Sequence, residues 1–534
     1  MRRLSDRVIL AWGAKRVLLC IFAGAVGVLA LPPIGFFAAM FVSFTLLVWL
    51  MDGTAAAPNS GAFGNLRSAF STGWLFGFGY FVAGLWWLGH ALLIDADEFL
   101  WALPLAILGL PAILAIFYGL AAMLARIFWS EGAGRIASLA AAFGICEWLR
   151  SFILTGFPWN MIGYGMTPIP IMMQSAHLVG ILGITSLAVF VFSAPALLWT
   201  RQGVRVGMTV AVILLAAHIG YGFFRLHLAA KPESDESGSE TVIRLVQPSI
   251  DQSDKMDTDA DRKAIFEKHL KLSTAQPANG GRKPDIIVWP ETALPFILTD
   301  NKDALTMIAD ALDDNQILIT GAVRVEEPMP GAPARYYNSI YVIDGRGQIL
   351  SASDKVHLVP FGEYVPYENL LDAFGIRNIV EIPGGFSAAA SRHLLTLPSG
   401  LKLYPVICYE AIFPGEFGPE IQQANAILNV TNDAWFGDTP GPYQHFLQAR
   451  LRAVETGLPL IRDANNGISA LVDKYGEIST GLPLNETGYA DATLRGLSAP
   501  NSLNTNRGLN FGLIEVFLTV GALLGRFGFI SRAN

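Results

Sequence analysis

Charge is what this sequence has least of. Only 15% of its 534 residues are Asp, Glu, Lys or Arg, against 52% hydrophobic ones, where a soluble domain carries about 25% charged residues. This excludes a disordered chain, which needs low hydrophobicity and high net charge, and speaks against a wholly soluble one. Cysteine is scarce as well. Of Cys20, Cys146 and Cys408 the first two fall in apolar runs, so no disulfide framework can be built. Neither a Walker run nor a dinucleotide fingerprint is present. His357 and His445 stand in no zinc-like spacing with Cys or carboxylates, so neither metal nor cofactor is expected. Internal repeats are missing. A net charge of −7, with its acidic excess in the polar part of the chain, argues against nucleic acid as a partner.

What is present is divided unevenly. Residues 1–230 carry 12 basic and 7 acidic side chains, a balance of +5, whereas residues 231–534 carry 25 and 37, a balance of −12. The first part holds seven apolar runs near the ~20 residues needed to span a bilayer. They are Val17–Leu31, Ile34–Leu50, Ala69–Leu92, Leu100–Phe128, Ala137–Phe157, Ala176–Leu198 and Gly207–Phe224. An eighth, Leu509–Leu524, follows the polar part. Leu31–Ile34 leaves so little loop that the first two runs must form a tight hairpin. The expected division is a seven-span membrane domain over 1–230, an extracytoplasmic domain over 241–500 and a C-terminal span within 508–530, with Pro232–Glu240 as a polar linker.

Lys and Arg in short loops set orientation. Arg2, Arg3, Arg7, Lys15 and Arg16 precede the first run; Arg67, Arg126, Arg135, Arg201, Arg205, Arg526 and Arg532 fall in alternate loops after it. The intervening loops hold Asp95, Asp97 and Glu98 instead. Both termini are therefore expected in the cytoplasm, with the polar domain on the outer side of an inner membrane. The basic N-terminus followed by an apolar run could be read as a signal peptide, but no small-residue cleavage site ends the run; an uncleaved first helix is expected.

From Thr241 onward β-rich runs alternate with helical ones. Thr241–Val246, Asp285–Trp289, Gln316–Val323, Ser339–Ile343, Leu403–Cys408 and Ala426–Val430 predict strands. Asp261–Leu272, Ala304–Leu312 and Tyr443–Thr456 predict helices. The alternation indicates a layered α/β domain. Three segments place chemistry at strand ends: DIIVWPETALP with Glu291, SDKVHLVPFGEYVP with Lys355 and Glu363, and LYPVICYEAIFP with Cys408 and Glu410. A carboxylate, a cation and a thiol are the parts of covalent acyl transfer: Glu291 to take the thiol proton, Cys408 to attack a carbonyl, Lys355 to stabilise the oxyanion. A carboxylate is a weak base for a thiol, the two differing by about 4 pKa units in solution. Lys355 is expected to lower the thiol and burial to raise Glu291, closing part of the gap. Singly, each residue also has a plain reading, Cys408 as buried filler and the others as solvated surface charges.

In this order WPET, KVHLVPFGEYVP and ICYE resemble the nitrilase superfamily and its Glu–Lys–Cys triad. Together with seven runs before, one after, and NVTNDAWFGDTPGPYQHFLQARLRAVETGLPLIRDANNG, they resemble the apolipoprotein N-acyltransferases over nearly the whole chain. The resemblance implies an α-β-β-α sandwich on a multi-pass helical domain. It implies Glu291 as general base, Lys355 as oxyanion-stabilising group and Cys408 as nucleophile. The acyl chain would pass from a phospholipid, through a thioester, to the α-amine of a diacylglyceryl-cysteine at a lipoprotein N-terminus. By the same resemblance Glu363 and Glu410 orient Lys355 or shape the pocket, Tyr409 flanks the nucleophile, Asn338 fills a polar position, and Trp435 and Phe436 lie on a loop near the entrance. Met256 departs from the pattern, which usually has Trp there.

Two acids in the apolar runs have simpler expectations. Glu147 and Arg150, three apart on one helical face, read as a structural ion pair, and Glu515 as facing a neighbouring helix or the outer interface. A membrane-tethered amidase with water as acceptor is the enzymatic alternative, and a transporter or scaffold with an inert outer domain the non-enzymatic one. Eight spans favour substrates that live in the bilayer.

Overall fold

The computed structural model describes residues 2–54, 61–228, 240–252, 259–277, 280–326, 334–367, 385–494 and 506–528. Met256 and linker residues 232–239 lie outside them. The chain divides into two compact units, one of residues 1–89, 95–230 and 504–534, the other of residues 90–94 and 231–503.

In the first unit, eight helices fall on the eight apolar runs. In chain order they are α1 (Gly13–Gly27), α2 (Ala39–Asp52), α3 (Gly61–Leu85), α4 (Leu110–Ile127), α5 (Ala133–Arg150), α6 (Ala176–Ser193) and α7 (Val204–Phe223), with α11 (Arg507–Arg526) after the second unit. Among the described residues, six helical stretches are long and apolar enough to cross a membrane. The other two runs are α2, with 14 residues, and α5, which carries Arg135, Glu147 and Arg150. The chain is a membrane protein. The Leu31–Ile34 hairpin is tight, closed by the Gly35 N–H on the Leu31 carbonyl at 3.0 Å.

One predicted run is too long. The fifth was expected to continue to Phe157, but α5 ends at Arg150. The Arg150 guanidinium turns back to the carbonyls of Phe157 and Trp159, and Gly156 takes the positive φ that the return needs. Arg150 also donates to Glu147 Oε2 from Nε at 2.7 Å, while the Tyr118 hydroxyl donates to Oε1 at 2.7 Å. Both charged groups are fully buried and their oxygens and N–H groups are engaged, the condition under which a buried pair persists. Glu515 faces α6, where Ser186 donates to it.

The second unit is a four-layer sandwich. Its elements are β1 (Thr241–Gln247), α8 (Asp259–Ser273), β2 (Ile286–Val288), α9 (Lys302–Ala311), β3 (Ile317–Glu326), β4 (Arg335–Asp344), β5 (Ile349–Asp354), β6 (Leu395–Thr396), β7 (Lys402–Ile407), β8 (Ala426–Thr431), α10 (Pro440–Thr456), β9 (Leu460–Ala464), β10 (Ser469–Val472), β11 (Ile478–Leu482) and β12 (Gly488–Leu494). Two six-stranded sheets form in the orders β12-β1-β2-β3-β4-β5 and β11-β10-β9-β8-β7-β6. Within them β1, β2 and β3 run parallel, as do β7, β8 and β9.

Between the sheets lie Ile243, Leu245, Val288, Ile319, Leu403, Leu428, Val430 and Ile461, among others; each such side chain contributes about 1.5–3 kcal/mol on burial. On the outer face of the first sheet Phe266, Ala304 and Ile308 of α8 and α9 cover Val246, Ile287 and Trp289. On the second, Phe446, Ala449 and Ala453 of α10 cover Tyr404, Val406 and Ile427. Strands buried on both faces read as continuous apolar runs rather than alternating ones, which explains IIV and AILNV. The arrangement is the expected α-β-β-α sandwich.

Candidate functional site

The carboxyl ends of parallel strands are where α/β sheets gather ligands, and here they gather the charged residues. Glu291 follows β2 in a turn pressed against Gly321 of β3. A Cβ on Gly321 would stand 2.6 Å from the Pro290 carbonyl and 2.7 Å from the Glu291 Cα, so only glycine lets the turn lie there. The Ala293 N–H donates to the Gly321 carbonyl at 3.0 Å and closes the arrangement. Lys355 follows β5, its N–H on the Asn338 carbonyl of β4 at 2.8 Å. Cys408 was expected to end a strand. Instead β7 stops at Ile407, and Cys408 opens a 3-10 turn, Cys408–Ile412, with φ at +50°. That conformation costs a non-glycine residue on the order of 1–3 kcal/mol and persists only where its surroundings over-determine it.

The side chains are interlocked. Lys355 Nζ donates to Glu363 Oε1 at 2.9 Å and lies 3.4 Å from Glu291 Oε1. Asn338 Nδ2 bridges the same two oxygens, at 2.7 Å to Glu291 and 2.9 Å to Glu363. The remaining oxygens are held by backbone: Glu291 Oε2 accepts from Asn432 N at 2.9 Å, and Glu363 Oε2 from Val359 N at 2.8 Å. Lys355 is 1% exposed. Burial alone would depress its ammonium, but Glu363 and then Glu291, with a smaller push from Cys408, outweigh it and raise Lys355 above the ordinary lysine value. It is a cation at every physiological pH.

Lys355 lowers the thiol as expected, but the net shift is upward. Burial, and then the charge of Glu291, push Cys408 well above the usual thiol value; Lys355 and a hydrogen bond with Thr431 pull it down, but by less. Desolvation wins because Cys408 is 7% exposed, in the core between the sheets. Cys408 is therefore held as a neutral thiol.

Glu410 has a definite place. Its Oε2 accepts from Ile407 N at 2.7 Å, and its Oε1 from Val356 N at 2.8 Å, from His357 N at 3.0 Å and from the Arg392 guanidinium at 2.6 Å. Burial would raise this carboxyl, yet Arg392, then the Ile407 and His357 N–H groups and Lys355, hold it below the usual carboxylate range. It ties the turn of Cys408 to the strand end of Lys355. Tyr409 is buried next to Cys408 in the chain, packing on Phe413 with ring centroids 5.0 Å apart. Trp435 and Phe436 sit half-buried on the 3-10 turn Asp433–Phe436 after β8. His357 pairs with Glu416 at 2.9 Å and stacks on Phe413, whereas His445 pairs with Asp433 at 2.8 Å.

Reading the strand ends misses Asn432, Arg392 and Arg462. Asn432 acts through its backbone, which no side-chain pattern reveals. The other two are arginines, Arg392 half-buried in a loop and Arg462 fully buried inside β9.

Family models match both units. One described as "Apolipoprotein N-acyltransferase N-terminal domain" covers residues 23–194, and one described as "Carbon-nitrogen hydrolase" covers residues 242–498. A protein of Rhizobium leguminosarum bv. trifolii (strain WSM2304) named apolipoprotein N-acyltransferase is 70% identical over 534 residues, 100% of both chains. The chain belongs to the apolipoprotein N-acyltransferase family. A second member from Rhizobium etli (strain CIAT 652) is likewise 70% identical and one from Agrobacterium fabrum 60%, both over 100% of each chain. Membership in the family sets aside the amidase and scaffold alternatives. Among solved structures, an amidase from Nesterenkonia sp. is similar at 17% identity over 51% of this chain and 96% of its own, with a TM-score of 0.34; it carries no part of the assignment.

Proposed function

We propose that this chain moves a fatty acyl group from a phospholipid to the free α-amine of a diacylglyceryl-cysteine at a lipoprotein N-terminus, through a thioester on Cys408. The observation that carries the mechanism is the meeting of Glu291, Lys355 and Cys408 at three strand ends, close enough that each carboxylate and ammonium charge shifts the thiol.

In the first half-reaction Glu291 takes the thiol proton as Sγ attacks the ester carbonyl carbon. Lys355 stabilises the oxyanion. The carbon–oxygen bond then breaks, Glu291 returns the proton to the glycerol oxygen, and a lysophospholipid leaves. In the second, the neutral amine attacks the thioester carbon, Glu291 accepts an amine proton, and the carbon–sulfur bond breaks as Sγ regains a proton. A thiol held neutral until attack suits a donor that arrives slowly from the bilayer, because a standing thiolate would be open to oxidation. Glu363, Glu410 and Asn338 position the reacting groups. Trp435 and Phe436 offer aromatic faces to acyl chains.

Residues 1–230 and 508–530 would hold the bilayer, and residues 241–500 would form the catalytic domain. The catalytic domain faces the periplasm and both termini face the cytoplasm, a reading supported by the concentration of Lys and Arg in one set of alternate loops. Mixing purified protein with one defined phospholipid should leave one acyl group on Cys408, seen as an intact-mass shift that hydroxylamine removes. Adding a diacylglyceryl-cysteine peptide should discharge it to the peptide. Absence of any adduct under single-turnover conditions, or its discharge to water at the same rate without peptide, would overturn the proposal.

A further inference from the structure

The mechanism above leaves unused a buried ionisable cluster on the carbonyl side of Cys408. Asp433, His445 and Arg462 are all 0% exposed. Asp433 Oδ1 lies 2.8 Å from His445 Nδ1 and accepts from the Thr431 hydroxyl at 3.0 Å; Oδ2 accepts from Arg462 Nη2 at 2.8 Å. Gly467 makes room for the carboxylate, since a Cβ there would stand 2.3 Å from Oδ2. Burial would raise Asp433, but Arg462 and then His445 and Thr431 hold it below the usual carboxylate range, so the histidine is braced by a fixed anion.

The other ring nitrogen points at the nucleophile's own peptide. His445 Nε2 lies 3.1 Å from the Cys408 carbonyl oxygen, which can only accept, so Nε2 is the donor. The strained residue is thereby held on both sides. Glu410 takes the N–H of Ile407 before it, and His445 takes the carbonyl after its Cα. The ring is confined further by Arg462 Nη2 at 3.3 Å from Nδ1 and by Phe436, edge to face with centroids 5.9 Å apart.

We propose that His445, braced by Asp433, is a positioning residue for acyl transfer. Its Nε2–H fixes the Cys408 carbonyl and so keeps the residue in the left-handed turn that sets Sγ beside Glu291 and Lys355. The histidine touches neither substrate nor reacting atoms. This rests on Cys408 being the nucleophile.

The test uses the full-length chain in detergent with Cys20 and Cys146 replaced by Ala, so that alkylation reports on Cys408 alone. His445→Ala removes the donor, and His445→Gln restores an N–H near the same point. His445→Ala should lower kcat by about 100-fold, the scale of a ~1 Å misplacement, with KM for the lipopeptide within about 2-fold. It should also slow iodoacetamide alkylation of Cys408 by about 10-fold. His445→Gln should recover kcat to within about 10-fold of the parent and the alkylation rate to within about 2-fold. If Ala and Gln lose activity equally, or if Ala leaves alkylation unchanged, the proposal fails. Should His445→Ala not fold, Asp433→Asn, which loosens the brace alone, must show the same loss in kcat with KM kept; parent-like kcat there overturns it. Formation of the acyl adduct in the parent, and its loss in Cys408→Ala, are measured alongside. Absence of the adduct from the parent would count against the nucleophile, whereas an adduct in the parent that His445→Ala forms at an undiminished rate would count against His445.

Discussion

Glu291 and Asn432 are joined from one sheet to the other: the Asn432 N–H donates to Glu291 Oε2 at 2.9 Å although 141 positions separate them. One carboxylate oxygen is thus anchored, and the other, between Asn338 and Lys355, is the one proposed to accept the proton. Glu291→Gln keeps the shape but abolishes proton acceptance. Both half-reactions should slow by about 100- to 10,000-fold, the usual range for a lost general base, and rapid-quench mass spectrometry of the Cys408 adduct would show it. Acylation at the parent rate would remove Glu291 from the role of base.

Lys355 is a buried cation facing two buried carboxylates. Lys355→Met should therefore damage folding as well as chemistry, by about 3–5 kcal/mol, because it leaves uncompensated charge in the core. The double change Lys355→Met with Glu363→Gln should recover much of that loss in thermal denaturation and none of the activity. A single change that leaves the unfolding midpoint intact would contradict the buried network.

The depressed carboxyl of Glu410 predicts a pH effect with a definite sign. The unfolded chain binds this proton more readily than the folded one, so stability rises with pH through this window. The contribution is present above the ordinary glutamate value of about 4.3 and is lost as pH falls through the lower folded value. Glu410→Gln should lower the unfolding midpoint at pH 7 and flatten its fall in acid, the missing charged hydrogen bonds being worth about 1.5–3 kcal/mol each. Parallel acid limbs for the two proteins would show that Glu410 is not a source of that slope.

Gly321 offers a test in which no chemical group is removed. Gly321→Ala sets a methyl against the turn of Glu291, and overpacking of this kind costs about 1–3 kcal/mol. Because the displaced atoms belong to the proposed base, kcat should fall by about 10-fold or more while membrane insertion and lipid binding persist. Steady-state kinetics beside vesicle flotation would separate the two.

Much of this architecture is legible in one dimension. Apolar length marks the membrane helices, and strands buried on both faces announce themselves as IIV and AILNV. The motif residues fall at strand ends because parallel strands share one carboxyl edge. The failures are physical too. α5 stops at Arg150 because a guanidinium captures carbonyls seven and nine residues on, a long-range contact that hydropathy does not register. β9, LIRDA, places Arg462 and Asp463 in the core, against every rule of apolar patterning. The exposed edge strands β5 and β11 carry too little buried surface to leave a pattern. Lys355 does lower the thiol, but burial outweighs it, because sequence shows which charges are near a group and not how thoroughly water is removed from it.

Glu410 accepts on one oxygen from the backbone entering the Cys408 turn and on the other from the chain that follows Lys355. Neither strand end can drift without releasing the other, so loss of this one carboxylate's bonds parts the two together. Local fraying here should act as a switch: each molecule is either competent or silent, and a weakened population should lose turnover in proportion to its open fraction while the remaining molecules work at full speed.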